Sequence, residues 1–273
     1  MSGPSSVLGV LLEQRGGYNI AEDTHRRCTV RAGRRSVQAF ASTQRGGQRI
    51  AHGVAAALAV DAITIAEFSI AAGSALIVGI SVPDEIDLAL SEANFDFAGA
   101  PADHVYSTVG AFGSGQQSTI AFWDGGPART GAVACDLEIV VSVALTFATE
   151  VTGFSPVDAG DDDEARGTSD APQVTSLILG ADREPIIGAL TWIGDGEAEP
   201  TPPAGLGQVV ALGGVVLVEL VSQSGAAGIW GIGASLEDDF PWALCATGLP
   251  VTRSIVRPTA CRGGTRRATV GVA

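Results

Sequence analysis

The sequence predicts an all-β fold, in which a jelly-roll-like β-sandwich lies between an extended N-terminal arm and a C-terminal tail. Two observations favour this class. Short segments rich in β-branched and aromatic residues follow one another at regular spacing, with Gly, Pro, Asp and Ser between them. In addition, no stretch keeps a 3.6-residue apolar period between capping residues, as a long helix would. Regular short strands without intervening helices are typical of sandwiches and jelly rolls.

The predicted strands are recognised by their apolar pattern and by the residues that end them. Ile63–Ile70 alternates between apolar and polar residues, whereas Ala75–Val82 is a continuous apolar run that stops at Pro83. Ile139–Val151 predicts one long strand or a bent pair. The Pro-rich segment Glu197–Gly207 predicts an irregular surface loop. The other strand candidates are Ile86–Ser91, His104–Phe112, Ser118–Trp123, Ala132–Leu137, Val174–Gly180, Ile186–Ile193, Gln208–Leu212, Val215–Val221, Gly228–Ser235 and Trp242–Thr247.

Charge divides the 273 residues, of net charge −14, into three parts. Residues 1–52 carry eight arginines and three acids, and residues 251–273 carry five arginines and no acid. Residues 53–250 carry three arginines and 27 acids, with no clean internal repeat and no second change of composition. We therefore predict a basic Gly/Arg-rich arm, one acidic β-sandwich domain and a basic tail. A basic–acidic–basic layout of this strength indicates a binding partner.

The arm lacks apolar periodicity, so we expect it to order against a partner or against the main domain, with short strands at Cys28–Arg31 and Ser36–Ala41. A flexible terminus is the alternative. Few aromatic residues stand among its arginines, which favours protein partners over nucleic acid. The predicted assembly residues are the clustered arginines Arg26, Arg27, Arg31, Arg34, Arg35, Arg262, Arg266 and Arg267.

The sequence carries no motif of a catalytic or cofactor site, and we predict a protein that is not an enzyme and needs no cofactor. It has no Gly-x-Ser-x-Gly elbow, no phosphate-binding loop and no His-Glu-x-x-His. Because it has no lysine, lysine-dependent mechanisms are excluded. A glycan-cleaving enzyme that uses two carboxylates from different acidic loops is an alternative.

The acidic loop and the tryptophans are the candidates for small ligands. Asp158, Asp161 and Asp163 lie close together in one predicted loop, and calcium is bound by oxygen ligands of this kind. A solvated run of charge is the alternative. A tryptophan beside alternating apolar residues is more often a core residue than an exposed one. Trp123 and Trp192 stand at strand ends before Asp-Gly-Gly and Gly-Asp-Gly turns, so of the tryptophans they are the candidates for exposure and for stacking on sugars.

The remaining features concern thiols and membranes. The cysteines at 28, 135, 245 and 261 form no Cys-x-x-Cys pair, which favours free, partly buried thiols, while a Cys28–Cys261 link stays open. No segment reaches the ~18 apolar residues of a membrane span, and residues 1–12 make a poor signal peptide. We therefore predict synthesis in the cytoplasm and no membrane partner.

Four segments together resemble structural proteins of tailed phages and phage-like particles: Ala71–Ser81, Gln117–Trp123, Thr130–Val133 and Val151–Asp158. The resemblance covers roughly residues 60–250. It implies a jelly-roll-like virion protein, used as a head decoration, spike or fibre component in many copies, with no catalytic residue. The family usually has Asp where this chain has Phe154, which argues against a metal role for that turn.

From these features we expect a homo-oligomer that binds other particle proteins and resides in a virion or phage-like particle. A carbohydrate-binding module or adhesin, with an acidic calcium-binding loop and a cell-surface glycan as its ligand, is the alternative. The glycan-cleaving enzyme is the second alternative.

Overall fold

Strands make up nearly all of the chain that the structure describes. This computed structural model describes residues 28–30, 38–39, 49–83, 88–108, 116–152, 162–179, 185–194, 196–202, 204–223 and 227–249. The strands are β1 (Cys28–Val30), β2 (Gln38–Ala39), β3 (Arg49–Ile70), β4 (Ser74–Val82), β5 (Phe95–Phe97), β6 (Ala100–Pro101), β7 (His104–Ser107), β8 (Gln117–Trp123), β9 (Arg129–Thr152), β10 (Asp162–Ser169), β11 (Gln173–Leu179), β12 (Pro185–Ile193), β13 (Gly196–Pro200), β14 (Gly205–Leu212), β15 (Val215–Gln223), β16 (Gly228–Leu236) and β17 (Phe240–Gly248). One 3-10 turn, Glu92–Asn94, precedes β5.

The strands form two units, each made of two packed antiparallel sheets. The first unit (residues 49–152) has an inner sheet in the order β3–β9–β4–β8–β7. Its outer sheet has the order β3–β9–β5–β6, because β3 and β9 are long enough to pass from one sheet to the other. The second unit (residues 162–249) has an inner sheet β10–β17–β12–β15–β14 and an outer sheet β11–β16–β13. The predicted all-β sandwich is confirmed.

Both units pair their strands in the same nested order. If β3 and β9 each count as two segments and β6 is set aside, each unit has eight segments in chain order. The first segment pairs with the eighth, the second with the seventh, and the third with both the sixth and the eighth. The fourth pairs with the seventh and the fifth with the sixth. The sequence predicted no clean internal repeat; the repetition lies in the pairing order.

A shared bend lets β3 and β9 serve two sheets. At the bend, the four residues Leu137–Val140 of β9 lie opposite Asp61 of β3. Glu138 has a φ of 63°, in the left-handed region that residues with side chains seldom adopt. Asn94 holds this turn, because its Nδ2 donates to Glu138 Oε1 at 2.9 Å and to the Asp136 carbonyl at 3.2 Å. In the second unit, turns between β10 and β11 and between β16 and β17 occupy the equivalent places.

Three apolar cores separate the four layers. The core of the first unit contains Trp123, Phe95 and Phe97, and that of the second contains Trp192 and Leu177. The middle core lies between the two inner sheets and is built from side chains of both units: Ile77, Ile120, Phe147, Ile187, Val210 and Leu217. All residues of β4 and β8 are buried, since these strands have a core on each face. This explains the continuous apolar run of β4.

The inner sheets face each other in reversed order. β3 lies against β14, β4 against β12, and β7 against β17 and β10. The first segment of one unit thus meets the fifth of the other, and the reverse also holds. Reciprocal contacts of this kind are the property of two copies related by an approximate twofold axis.

Most predicted strands are confirmed, and the differences occur at edges and bends. The predicted segments 132–137 and 139–151 are one strand, β9. Leu88–Ser91, within the predicted strand at 86–91, is not a strand, and residues 84–87 lie outside the described part. The irregular loop predicted over Glu197–Gly207 is wrong, because β13 and β14 occupy much of it. Pro200 is tolerated because β1 pairs only with Gly196–Ala198, so β13 is an edge strand at Pro200. The sandwich strands begin at Arg49, and the domain boundaries stay a prediction.

Candidate assembly site

Two arm strands pair with the sheets of the second unit. β1 runs antiparallel to β13, with Cys28 opposite Ala198, and so extends the outer sheet. β2 runs antiparallel to β14, with Ala39 opposite Gln208, and extends the inner sheet. These strands lie within the two segments that the arm sequence predicted. Because the pairing uses backbone groups, it constrains the arm sequence little.

The strand β14, which receives β2, belongs to a buried polar network that joins the units. Gln208 Nε2 donates to the Ala148 carbonyl at 2.7 Å and to Thr149 Oγ1 at 2.8 Å. Glu219 accepts from Thr149 Oγ1 at 3.0 Å and from the Gln208 backbone N–H at 3.1 Å. Gln208, Thr149 and Glu219 are all buried. The residue that faces the arm strand therefore also links the two units.

Hydroxyl groups make a second set of contacts across the middle of the inner sheets. Ser81 Oγ lies 2.5 Å from Thr191 Oγ1, and these residues belong to the central strands β4 and β12. Ser118 Oγ donates to the Ala189 carbonyl at 2.5 Å. All these hydroxyls are buried and hydrogen-bonded, so they fix how the two sheets lie on each other without leaving unsatisfied groups.

On the opposite side of the molecule, the edge strand β7 is surrounded by carboxylates. Burial, together with the charge of Asp162, raises the pKa of Tyr106 to about 12, and Asp124 acts in the same direction. Burial and the charge of Asp103 raise the pKa of Asp124, while His104 opposes this. The Asp124 backbone N–H donates to Asp103 Oδ2 at 2.8 Å. The His104 end of β7 is therefore acidic, with Asp103, Asp124 and Asp162 close to it.

The predicted assembly arginines lie outside the described residues, so their role stays a prediction. Among the predicted ligand residues, the structure describes Trp123, Trp192 and Asp163.

Trp123 and Trp192 are core residues, so these two sugar-stacking candidates do not offer the exposed ring that stacking requires. Both indoles are fully buried, one in the core of each unit. Trp123 Nε1 donates to the Ala100 carbonyl at 3.1 Å, and its ring makes edge contacts with Phe95 and Phe97. Pro127 and Ala128, in the turn that follows Trp123, are exposed, but the second sheet of each unit covers the two indoles.

Asp163 binds neighbouring backbone rather than projecting from a loop. It lies in β10, and its Oδ2 accepts from the N–H groups of Thr175 and Ser176 and from Ser176 Oγ at 2.7 Å. Burial acts to raise the pKa of Asp163, but these hydrogen bonds, with one from the Glu164 N–H, lower it overall. Asp158 and Asp161 lie outside the described residues. Over the described ranges, no three His, Cys, Asp or Glu side chains form a group suited to a metal. Calcium binding stays a prediction.

The side chains of two cysteines, Cys135 and Cys245, are described, and both are free and buried, as predicted. Burial, with a smaller effect of Asp136, raises the pKa of Cys135 to about 12. Burial also raises the pKa of Cys245, whose Sγ contacts the Tyr106 carbonyl at 3.4 Å. The side chains of Cys28 and Cys261 lie outside the described part, so their link stays open.

Comparisons with protein-family models, with curated proteins and with solved structures found no match for this chain. Within the described ranges, there is no helix with the length and apolar character that a membrane crossing requires.

The sequence reasoning missed Gln208 and Glu219, which are central to the contact between the units. The available signal was a glutamate inside an apolar strand, in Val215–Val221. A carboxylate in such a run must be paired when it is buried.

Proposed function

We propose that this chain is a structural, virion-type protein, a head spike, decoration or fibre component that assembles into a multimer. Its basic segments 1–52 and 251–273 hold it to neighbouring subunits and other particle proteins. The observation that carries the proposal is the addition of β1 and β2 to the edges of β13 and β14. Strand addition at a sheet edge is a common way for an extended segment to attach to a folded domain.

Two further features support the proposal. The nested pairing of the first strand with the eighth, the second with the seventh and the third with the sixth favours a jelly roll in each unit. Jelly rolls occur in viral capsid and lectin domains. Because a fold alone does not determine function, the charge layout matters more. Acidic central surfaces and basic ends in one chain suit repeated contacts between copies.

Light scattering of the purified protein tests the proposal. We expect the full chain to form a multimer at about 0.05 M salt and to dissociate at about 0.5 M salt, because screening weakens contacts between exposed charges. Replacement of Arg26, Arg27, Arg31, Arg34 and Arg35 by Gln should reduce assembly. Arg129→Gln, in β9 outside the arm, is the control and should leave assembly unchanged.

A chain that stays monomeric at every salt concentration would overturn the proposal. Limited proteolysis gives a second measurement, since assembly should protect residues 1–52 from trypsin. Equal cleavage of the arm in the monomer and in the assembled state would also count against it.

A further inference from the structure

The two units have equivalent edges, and the described residues cover only one of them. The fifth strands, β7 and β14, hold the same place in the nested order. β14 carries the arm strand β2 on its outer edge. Among the described residues, β7 pairs with β8 and with no strand on its other side. The occupied edge of β14 indicates what the edge of β7 would bind.

The edge of β7 has backbone groups directed outward. The Thr108 N–H donates to the Ser118 carbonyl at 2.9 Å, and His104 and Tyr106 lie opposite Phe122 and Ile120. Alternate residues of an antiparallel edge strand bond to the neighbour, so the backbone groups of Val105 and Ser107 point away from β8. Open edges of this kind are templates for another strand.

The negative charge around this edge favours binding of a basic segment. Asp103 and Asp162 are exposed, and Asp124 is half-buried beside them. Among the described residues, two arginines lie in the same region. The Arg166 guanidinium donates to the Thr108 carbonyl, just after β7, and the Arg129 guanidinium lies beside the turn that follows Asp124. The beginning of β7 therefore keeps an excess of carboxylates.

The C-terminal tail leaves the described structure close to this edge. β17 ends at Gly248, and Thr247 lies opposite Asp162. Two residues earlier, Cys245 contacts the backbone of β7 at Tyr106. The tail, residues 251–273, has five arginines and no acid, and contains β-branched pairs such as Ile255-Val256.

We propose that the C-terminal tail of the same chain adds as a strand to the outer edge of β7. Each unit then has its fifth strand covered by a terminal segment of the chain, by the N-terminal arm in the second unit and by the C-terminal tail in the first. The tail would then remove one of the open edges at which another chain could pair. This inference concerns the isolated chain, whereas the proposed function concerns contacts of the same tail in an assembly, so neither rests on the other.

Amide hydrogen exchange tests the inference. We compare the full chain with a variant that ends at Pro250, both at a concentration where light scattering finds monomers. The amides of Val105 and Ser107 should exchange about tenfold or more faster without the tail. Those at Gln208 and Val209, on the edge covered by β2, should not change. A synthetic peptide of residues 251–273 should restore slow exchange to the shortened chain.

A second variant keeps the full length. Replacing Arg253, Arg257 and Arg262 by Gln should speed exchange at Val105 and Ser107. Glu237→Gln with Asp238→Asn, in the exposed turn before β17, is the matched control and should not. Equal exchange in the full and shortened chains would overturn the inference. Protection that disappears on dilution of the full chain would overturn it too, because a second copy would then supply the strand.

Discussion

Thr149 and Thr146 lie three residues apart on β9, and their hydroxyls have opposite surroundings. Thr149 Oγ1 donates to Glu219 at 3.0 Å and accepts from Gln208 at 2.8 Å. Thr146 is just as buried, but its Oγ1 has no hydrogen-bond partner within the described residues. Replacing each in turn by valine removes a hydroxyl at nearly constant volume. The pair of variants therefore separates the value of the polar network from that of packing.

The expected cost of Thr149→Val follows from its two hydrogen bonds. A bond to a carboxylate contributes about 1.5–3 kcal/mol and a neutral bond about 1 kcal/mol. Gln208 and Glu219 keep other partners, so we expect a loss of about 2–4 kcal/mol in the free energy of unfolding. Thr146→Val should be neutral or stabilising, since it removes a buried hydroxyl without a partner.

Urea unfolding at 25 °C, followed by tryptophan fluorescence, measures both variants against the parent chain. The reasoning is refuted if the two substitutions change the unfolding midpoint equally, or if Thr149→Val costs less than about 0.5 kcal/mol. Glu219→Gln gives an independent measurement, since it alters the same network from the second unit.

Three more predictions follow from packing and titration. Gly79→Ala should lower the free energy of unfolding by about 1–3 kcal/mol, measured by thermal unfolding, because the added Cβ would clash with the Phe147 ring. Gly205→Ala is the control and should be nearly neutral, since its added Cβ would lie 3.8 Å from Val221. With Cys28 and Cys261 replaced by serine, the buried thiols of Cys135 and Cys245 should resist a disulfide reagent at pH 8 until urea unfolds the chain; rapid labelling of the folded chain would contradict this. Asp163→Asn should destabilise the protein at pH 7 by about 1 kcal/mol or less, given its partial exposure. Because hydrogen bonds lower the pKa of Asp163 in the folded state, the difference between parent and variant should disappear as pH falls through that lowered pKa, and a difference that persists in acid would argue against it.

The sequence pattern identified the strands that have apolar side chains on both faces, or along the whole of one face. β4, β8, β12 and β15 were found nearly to their ends, because cores on both sides demand continuous apolar runs. β10 was missed, since an edge strand that starts with Asp162 and Asp163 has the composition of a loop. The first half of β3 was missed because its alanines and half-exposed residues give no alternation.

The contact between the units was beyond what the pattern could predict. Composition and periodicity report which residues are buried, but not which sheet covers them. Trp123 shows the difference, since its position before Asp-Gly-Gly made it a candidate for exposure, and β5 covers it. The repeat was hidden for a related reason: β3 and β9 are each continuous in the first unit, whereas their counterparts in the second are separate strands.

The burial of both faces of β4 and β8 has a consequence for how the chain folds. A sheet with apolar side chains on each face needs two covers, and here the second cover of each inner sheet is the inner sheet of the other unit. Neither unit is therefore a self-sufficient folding domain, although each has its own core. A cut between residues 152 and 162 would leave two fragments with exposed apolar faces, so we expect the two halves to unfold together as one cooperative unit.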